Sequence, residues 1–191
     1  MRLWSVAALL VTLPACFNPP ELPLVDQVPI VASGRCAVPR EAFVACVIDG
    51  DTFDVGQCGD GGERIRMLGI DAPEIAHAPD PAECWADNAH EELRRKIEGK
   101  VIYLTFDQEC TGIFGRTLAY AWLSAGTVED ENGETVTSYR FINDEMVREG
   151  HAYIFEEEFG ETLYKQQFVE ARDLAEALGL GLWGSCDPTP P

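Results

Sequence analysis

Positive charge is scarce in this chain. Its 191 residues carry 14 Lys and Arg against 33 Asp and Glu, a formal net charge of −19 at pH 7. Nonspecific affinity for long polyanions comes from basic patches that release counterions. A protein that grips phosphate backbones by diffuse positive charge is therefore excluded, and any phosphate handled here must be met locally, with the help of cations. Histidine is rarer still, with 3 residues, and neither a C-x-x-C pair nor a matched histidine spacing supports zinc. Long hydrophobic runs are missing too: Leu3 to Leu13, after Met1 and Arg2, is too short to span a bilayer as a stable helix. Asp49 to Asp60 fails as an EF-hand loop, because Phe53 stands where an oxygen ligand belongs and Asp54 where glycine is required.

What is present begins with an export signature. Residues 1–15 read as a signal peptide, and Leu13-Pro14-Ala15-Cys16 resembles the bacterial lipobox, with Pro14 uncommon in it. Cys16 is then the lipidated first residue of the mature chain, and the expected location is the bacterial cell envelope, with ordinary cleavage and secretion as the alternative. Residues 16–35, rich in proline, read as a tether that holds a domain over 36–191 off the membrane. Of the 7 cysteines, setting Cys16 aside leaves Cys36, Cys46, Cys58, Cys84, Cys110 and Cys186. In an exported chain these suggest up to three disulfides among fifteen connectivities. The preferred pair is Cys84 with Cys110, brought together by a helix and the loop after the next strand; the other four are left open.

The stretch from Val47 to Glu74 organises the domain. Asp49-Gly50 separates the apolar run Phe43 to Ile48 from the strand-like Thr52 to Val55, a hairpin pattern ascribed to the tolerance of Asp-Gly for positive φ. Asp51 thus sits at a strand mouth. Arg64 to Leu68 alternates charged and apolar residues as a half-buried strand does. Pro73 keeps Ala72 extended and its carbonyl free of helical bonding. Two carboxylates and a carbonyl, with water, suit a hard cation such as Ca²⁺.

Further along, Asp80-Pro81-Ala82-Glu83 carries helix-start signals. Trp85, Ala89, Leu93 and Ile97 form its apolar stripe, His90 is structural or solvated, and Arg94, Arg95 and Lys96 read as a solvated face. Strands are expected at Val101 to Phe106 and Arg116 to Leu123. Asn132-Gly133 marks a turn in an acidic, solvated segment. Two helices follow, Asn143 to Glu149 and Thr162 to Leu178.

Five ordered motifs resemble the staphylococcal nuclease-like (thermonuclease) family: I-D-G-D-T from Ile48, R-M-L-G-I-D-A-P-E from Arg66, F-G-R-T-L-A-Y from Phe114, I-N-D-E-M-V-R-E-G from Ile142, and G-L-W from Gly181. The resemblance covers roughly Ala45 to Trp183. Together with the element order it implies an α+β fold, a five-stranded OB-type barrel with about three packed helices. It also implies a monomeric Ca²⁺-dependent endonuclease that hydrolyses DNA and RNA at the P–O5′ bond and leaves 3′-phosphates. Asp51, Asp71 and the Ala72 carbonyl would hold the metal; Glu74 would act as general base; Arg66 and Arg116 would clamp the phosphate. The family commonly has Lys or Arg followed by Tyr where this chain has Ile113 and Phe114, which removes a charge and a hydroxyl. With a polyanionic surface, single-stranded or short substrates are expected to be favoured over duplex, and the membrane is met through the lipid anchor alone. The alternatives are a catalytically silent module of the same fold that binds nucleic acid or protein, and a structural Ca²⁺-binding envelope protein.

Overall fold

The computed structural model describes residues 35–130, 132–155 and 163–187. The expected signal peptide, Cys16, nearly all of the tether and the acidic residues 131 and 156–158 lie outside the described residues. Among those that are described, no helix is long and apolar enough to cross a membrane.

Strands β1 (Arg40–Val47), β2 (Thr52–Val55) and β3 (Glu63–Met67) form an antiparallel meander, with Val47 opposite Phe53 and Thr52 opposite Arg66. β4 (Ile70–Asp71) follows directly, then α1 (Ala86–Ile97), β5 (Val101–Thr105), β6 (Thr117–Glu129), β7 (Thr135–Phe141), α2 (Ile142–Arg148), β8 (Tyr153–Ile154), α3 (Lys165–Leu178) and the short α4 (Leu182–Ser185). The main sheet has six strands in the order β3-β2-β1-β5-β6-β7, and β3 also pairs with β6 in parallel, Arg66 beside Leu118. β4 and β8 form a separate two-stranded ladder, with Asp71 opposite Tyr153.

The expected count of five strands is corrected to six in this sheet. β6 runs for 13 residues, past an irregularity between Ser124 and Gly126, and its exposed second half pairs with β7 in a hairpin that closes through Asp130 and Gly133. The sequence cue at Asn132-Gly133 marks this turn, where Gly133 has φ 77°.

The alternation of inward and outward residues explains the core. Phe53, Ile65, Met67, Leu104 and Tyr120 point inward from the strands, while Ala89, Leu93 and Ile97 cover them from α1 and Phe168 and Ala171 from α3. Trp122 stacks on Phe141 with ring centroids 4.0 Å apart, and Tyr164 packs against both rings. Such offset and edge contacts add specificity to simple area burial.

Several local expectations change. Gly50 does not have a positive φ; glycine is required there because a Cβ would lie 2.5 Å from the Ala72 Cβ and 2.8 Å from the Ala89 Cβ. The loop is pressed between the chain after β4 and the face of α1, so only a bare backbone fits. The helix does not start at Asp80. The backbones of His77 and Asp80 pair with each other, and Glu83 is engaged by Glu74, so helical geometry begins only at Ala86, after Trp85 with φ 75°. Lys96 is not solvated: it is 3% exposed and ion-paired to Glu92, Glu145 and Glu149 at 2.9–3.1 Å. His90 is structural as expected, its Nε2 lying 3.4 Å from the Val47 carbonyl oxygen.

The disulfides are Cys36–Cys110, Cys46–Cys58 and Cys84–Cys186, so the expected Cys84–Cys110 pair is wrong. Cys36 donates its N–H to the Asp107 carbonyl at 2.8 Å, which brings the start of the domain beside the loop after β5. Cys84 instead faces the end of α4, where its sulfur also lies 3.9 Å from the Ser185 carbonyl oxygen.

Candidate functional site

The turn between β1 and β2 and the exit from β3 into β4 are neighbours because β2 and β3 pair along their full length. That pairing puts Thr52 opposite Arg66 and therefore brings Asp51 to the same end of the sheet as β4. The Asp51 carboxylate is 4% exposed. It accepts the Thr52 hydroxyl at 2.9 Å and the Ala72 N–H at 2.7 Å, so both sides of the site are tied to it.

Arg66 lies between two carboxylates. One nitrogen of its guanidinium pairs with Asp51 and another with Asp71 at 2.5 Å, and the Phe155 ring centroid lies 5.9 Å from its Cζ. Burial pushes the carboxyls of both Asp51 and Asp71 above their usual range, against the pull of Arg66. Two acids of raised proton affinity around one cation form a site that is short of positive charge. Each carboxylate meets a different nitrogen of Arg66, and carboxylate oxygens are hard donors, of the kind a divalent cation of the Ca²⁺ class takes rather than a soft metal.

Glu74 is exposed and follows this group by way of Pro73. Its carboxyl is also raised, first by partial desolvation and then by Asp49 and Asp71, while Arg66 and His77 oppose the shift. It therefore shares the field of the Asp51–Arg66–Asp71 cluster. Asp49 acts on Asp51, Asp71 and Glu74 alike, and its Oδ1 accepts the Asp51 N–H at 3.0 Å. Sequence reasoning treated Asp49 only as a turn residue. The available signal was the repeated acid two residues before Asp51.

Arg116 enters from another direction. It immediately precedes β6, whose parallel register sets Thr117 beside Ile65 and Leu118 beside Arg66. Among the described residues it forms no ion pair, its buried Nε has no hydrogen-bond partner, and its Cζ sits 5.4 Å from the Phe114 ring centroid. Ile113 and Phe114 are 82% and 76% exposed. Thus Asp51, Arg66, Asp71 and Ala72 are brought into direct contact and Glu74 into their field, while Arg116 stands just before the adjoining strand with its buried Nε unpartnered.

A second cluster has no such character. Cys46, Asp54 and Cys58 are the one trio of potential ligands within 4.8 Å of one another among the described residues, but the two sulfurs are bonded to each other. Asp54 is held by Arg64 at 2.9 and 3.1 Å and by the Gly59 N–H at 2.8 Å, and the Arg64 bond holds its carboxyl below the usual range. This group braces the β2–β3 loop.

A family model for staphylococcal nuclease homologues matches residues 64–185, a span that includes Arg66, Asp71, Glu74 and Arg116. The chain is 28% identical over 165 residues to a thermonuclease of Staphylococcus hyicus, covering 85% of this chain and 87% of that protein. It is 35% identical over 81 residues to a thermonuclease of Staphylococcus intermedius, covering 42% of this chain and 48% of that one. It is 31% identical over 132 residues to the probable endonuclease LCL3 of Arthroderma otae, covering 63% of this chain. The chain spans less than half the length of the latter two relatives, 48% and 40%.

Proposed function

The chain belongs to the staphylococcal nuclease homologue family, and from that premise we propose that it is a Ca²⁺-dependent endonuclease that hydrolyses phosphodiesters of DNA and RNA. The observation that carries the reading is Arg66 bracketed by Asp51 and Asp71, with Glu74 in the same electrostatic field. The six-stranded sheet, returning from β6 to β3, is read as an OB-type barrel that presents this cluster at one rim.

Asp51, Asp71 and the Ala72 carbonyl would hold Ca²⁺, which supplies charge neutralisation at a phosphate oxygen. Glu74, its carboxyl raised above the usual range by partial desolvation, takes the proton of the attacking water. As the water oxygen bonds to phosphorus the P–O5′ bond breaks, the 5′ oxygen is protonated from solvent, and the phosphate stays on the 3′ side. Arg66 and Arg116 face the extra negative charge of the five-coordinate phosphorus, where fixed guanidinium donors are most effective. To do so Arg66 must leave at least one of its present carboxylates, which would then be free to serve as a ligand of Ca²⁺. Arg116 is already without an acidic partner among the described residues. Single strands are favoured because a surface of net charge −19 repels a rigid duplex at every approach.

The domain acts on a tether, exported and lipid-anchored at Cys16 or secreted, as a monomer. Mass spectrometry of the mature amino terminus tests the anchor. The activity is tested with single-stranded DNA, with Ca²⁺ or with chelator, on the wild type and on Glu74→Gln. Cleavage that needs Ca²⁺ and falls at least ~10²-fold in the variant supports the reading. Binding without cleavage by the wild type would assign the chain to a silent nucleic-acid-binding module instead.

A further inference from the structure

Glu74 is exposed at its carboxyl, yet its backbone is held at two points by one residue. The Glu74 N–H donates to the Glu83 Oε2 at 3.0 Å, and the Glu83 N–H donates to the Glu74 carbonyl at 2.9 Å. Between them the loop is closed a second time by the reciprocal backbone pair of His77 and Asp80, at 3.1 and 2.6 Å. Glu74 therefore stands at the mouth of a closed loop whose opposite post is Glu83.

That post is anchored from behind. Cys84 is bonded to Cys186 across 102 residues of sequence, the Trp85 indole donates to His151 Nδ1 at 3.1 Å, and Ala86 begins α1. No other described side chain bonds the Glu74 backbone, so beyond its covalent link through Pro73 to Ala72, which Asp51 holds, the non-covalent path from the rigid body to this residue runs through residues 83–85. We propose that Glu83, fixed by the Cys84–Cys186 disulfide, is the positioning residue for Glu74. This rests on the reading of Glu74 as the base. The bridge to the chain's last helix then sets the geometry of a reacting group far from it in sequence. An error of about 1 Å in such a group costs up to roughly 10²-fold in rate.

The test uses the full chain and three variants, Glu83→Ala, Glu83→Gln and the double variant Cys84→Ala with Cys186→Ala. Glu83→Ala and the double variant are expected to lose roughly 10- to 100-fold in kcat with KM within about twofold. Glu83→Gln keeps an acceptor oxygen and is expected to restore most of the rate. An independent readout is amide hydrogen exchange at Glu74, slow in the wild type and in Glu83→Gln but fast in Glu83→Ala and the double variant. Unchanged exchange and unchanged kcat in both would overturn the proposal. Should Glu83→Ala not fold, the double variant decides by the same two measurements. Full activity in Glu74→Gln would sink the base assignment while leaving the exchange result intact, so the two failures are distinguishable.

Discussion

Replacing Arg66 with Met offers the sharpest examination of the site. Arg66 is 8% exposed and is the shared counter-charge of Asp51, itself 4% exposed, and of the partly buried Asp71. Methionine keeps most of the volume but leaves the buried Asp51 and the partly buried Asp71 with no cation between them, the kind of loss that costs roughly 3–5 kcal/mol. A domain of this size loses about 2–4 °C in Tm per kcal/mol, so in chelator the variant is expected to melt roughly 6–20 °C below the wild type. Ca²⁺ bound between the same acids replaces the missing charge. At a concentration 100-fold above its Kd it returns about 2.7 kcal/mol, so the variant gains at least as much Tm from Ca²⁺ as the wild type does, while cleavage stays lost in both conditions. Differential scanning fluorimetry with chelator and with Ca²⁺, read against Mg²⁺ as a control, measures this. A variant as stable as the wild type in chelator, or one whose Tm ignores Ca²⁺, would refute the account of the cluster as a cation-deficient site.

Three further outcomes are expected. Lys96→Ala takes a buried ammonium from Glu92, Glu145 and Glu149. Glu92 keeps Arg95 and Glu145 keeps Arg140, so the main loss falls on Glu149 and should cost roughly 1–3 kcal/mol in urea titration; a loss well under about 1 kcal/mol would show the network to be solvent-relaxed. His151 is pushed down to about 4 chiefly by burial. The native state therefore stays unprotonated where the unfolded chain takes up a proton, and stability present above about pH 6.5 is lost as pH falls toward 4. The loss is on the order of 3 kcal/mol at most, seen as a pH slope in stability that disappears in His151→Gln. Gly50→Ala puts a methyl against Ala72 and Ala89, and overpacking of that kind costs roughly 1–3 kcal/mol. Because it displaces the turn that carries Asp51, affinity for Ca²⁺ should fall with stability in calorimetric titration; an unchanged affinity would contradict the close approach.

The meander β1–β3 was legible because alternation over Arg64 to Leu68 and the Asp-Gly turn are local signals. The grouping of the candidate residues was legible for a related reason: Asp51 and Arg66 lie on the meander, and Asp71 and Glu74 follow it within a few residues. What the sequence hid was set at long range. The cap signals at Asp80 to Glu83 were real in kind, but their polar groups are used to hold Glu74 and His77 rather than a helix. Lys96 looked solvent-bound from its charged neighbours until α2 supplied the acids that bury it. The pairing of six cysteines depends on where α4 and the first described residues dock, which no spacing encodes. Asp49 looked like turn chemistry until its field on three other acids was in view.

The hairpin of β6 and β7 extends with exposed residues from Ser124 to Glu129. Its tip falls between Cys84 and Cys186, so a protease that nicks it severs the peptide backbone without releasing either piece. A clipped molecule would migrate as one band on a gel without reductant and as two with it, and the halves, still joined, would have every opportunity to remain folded and at work.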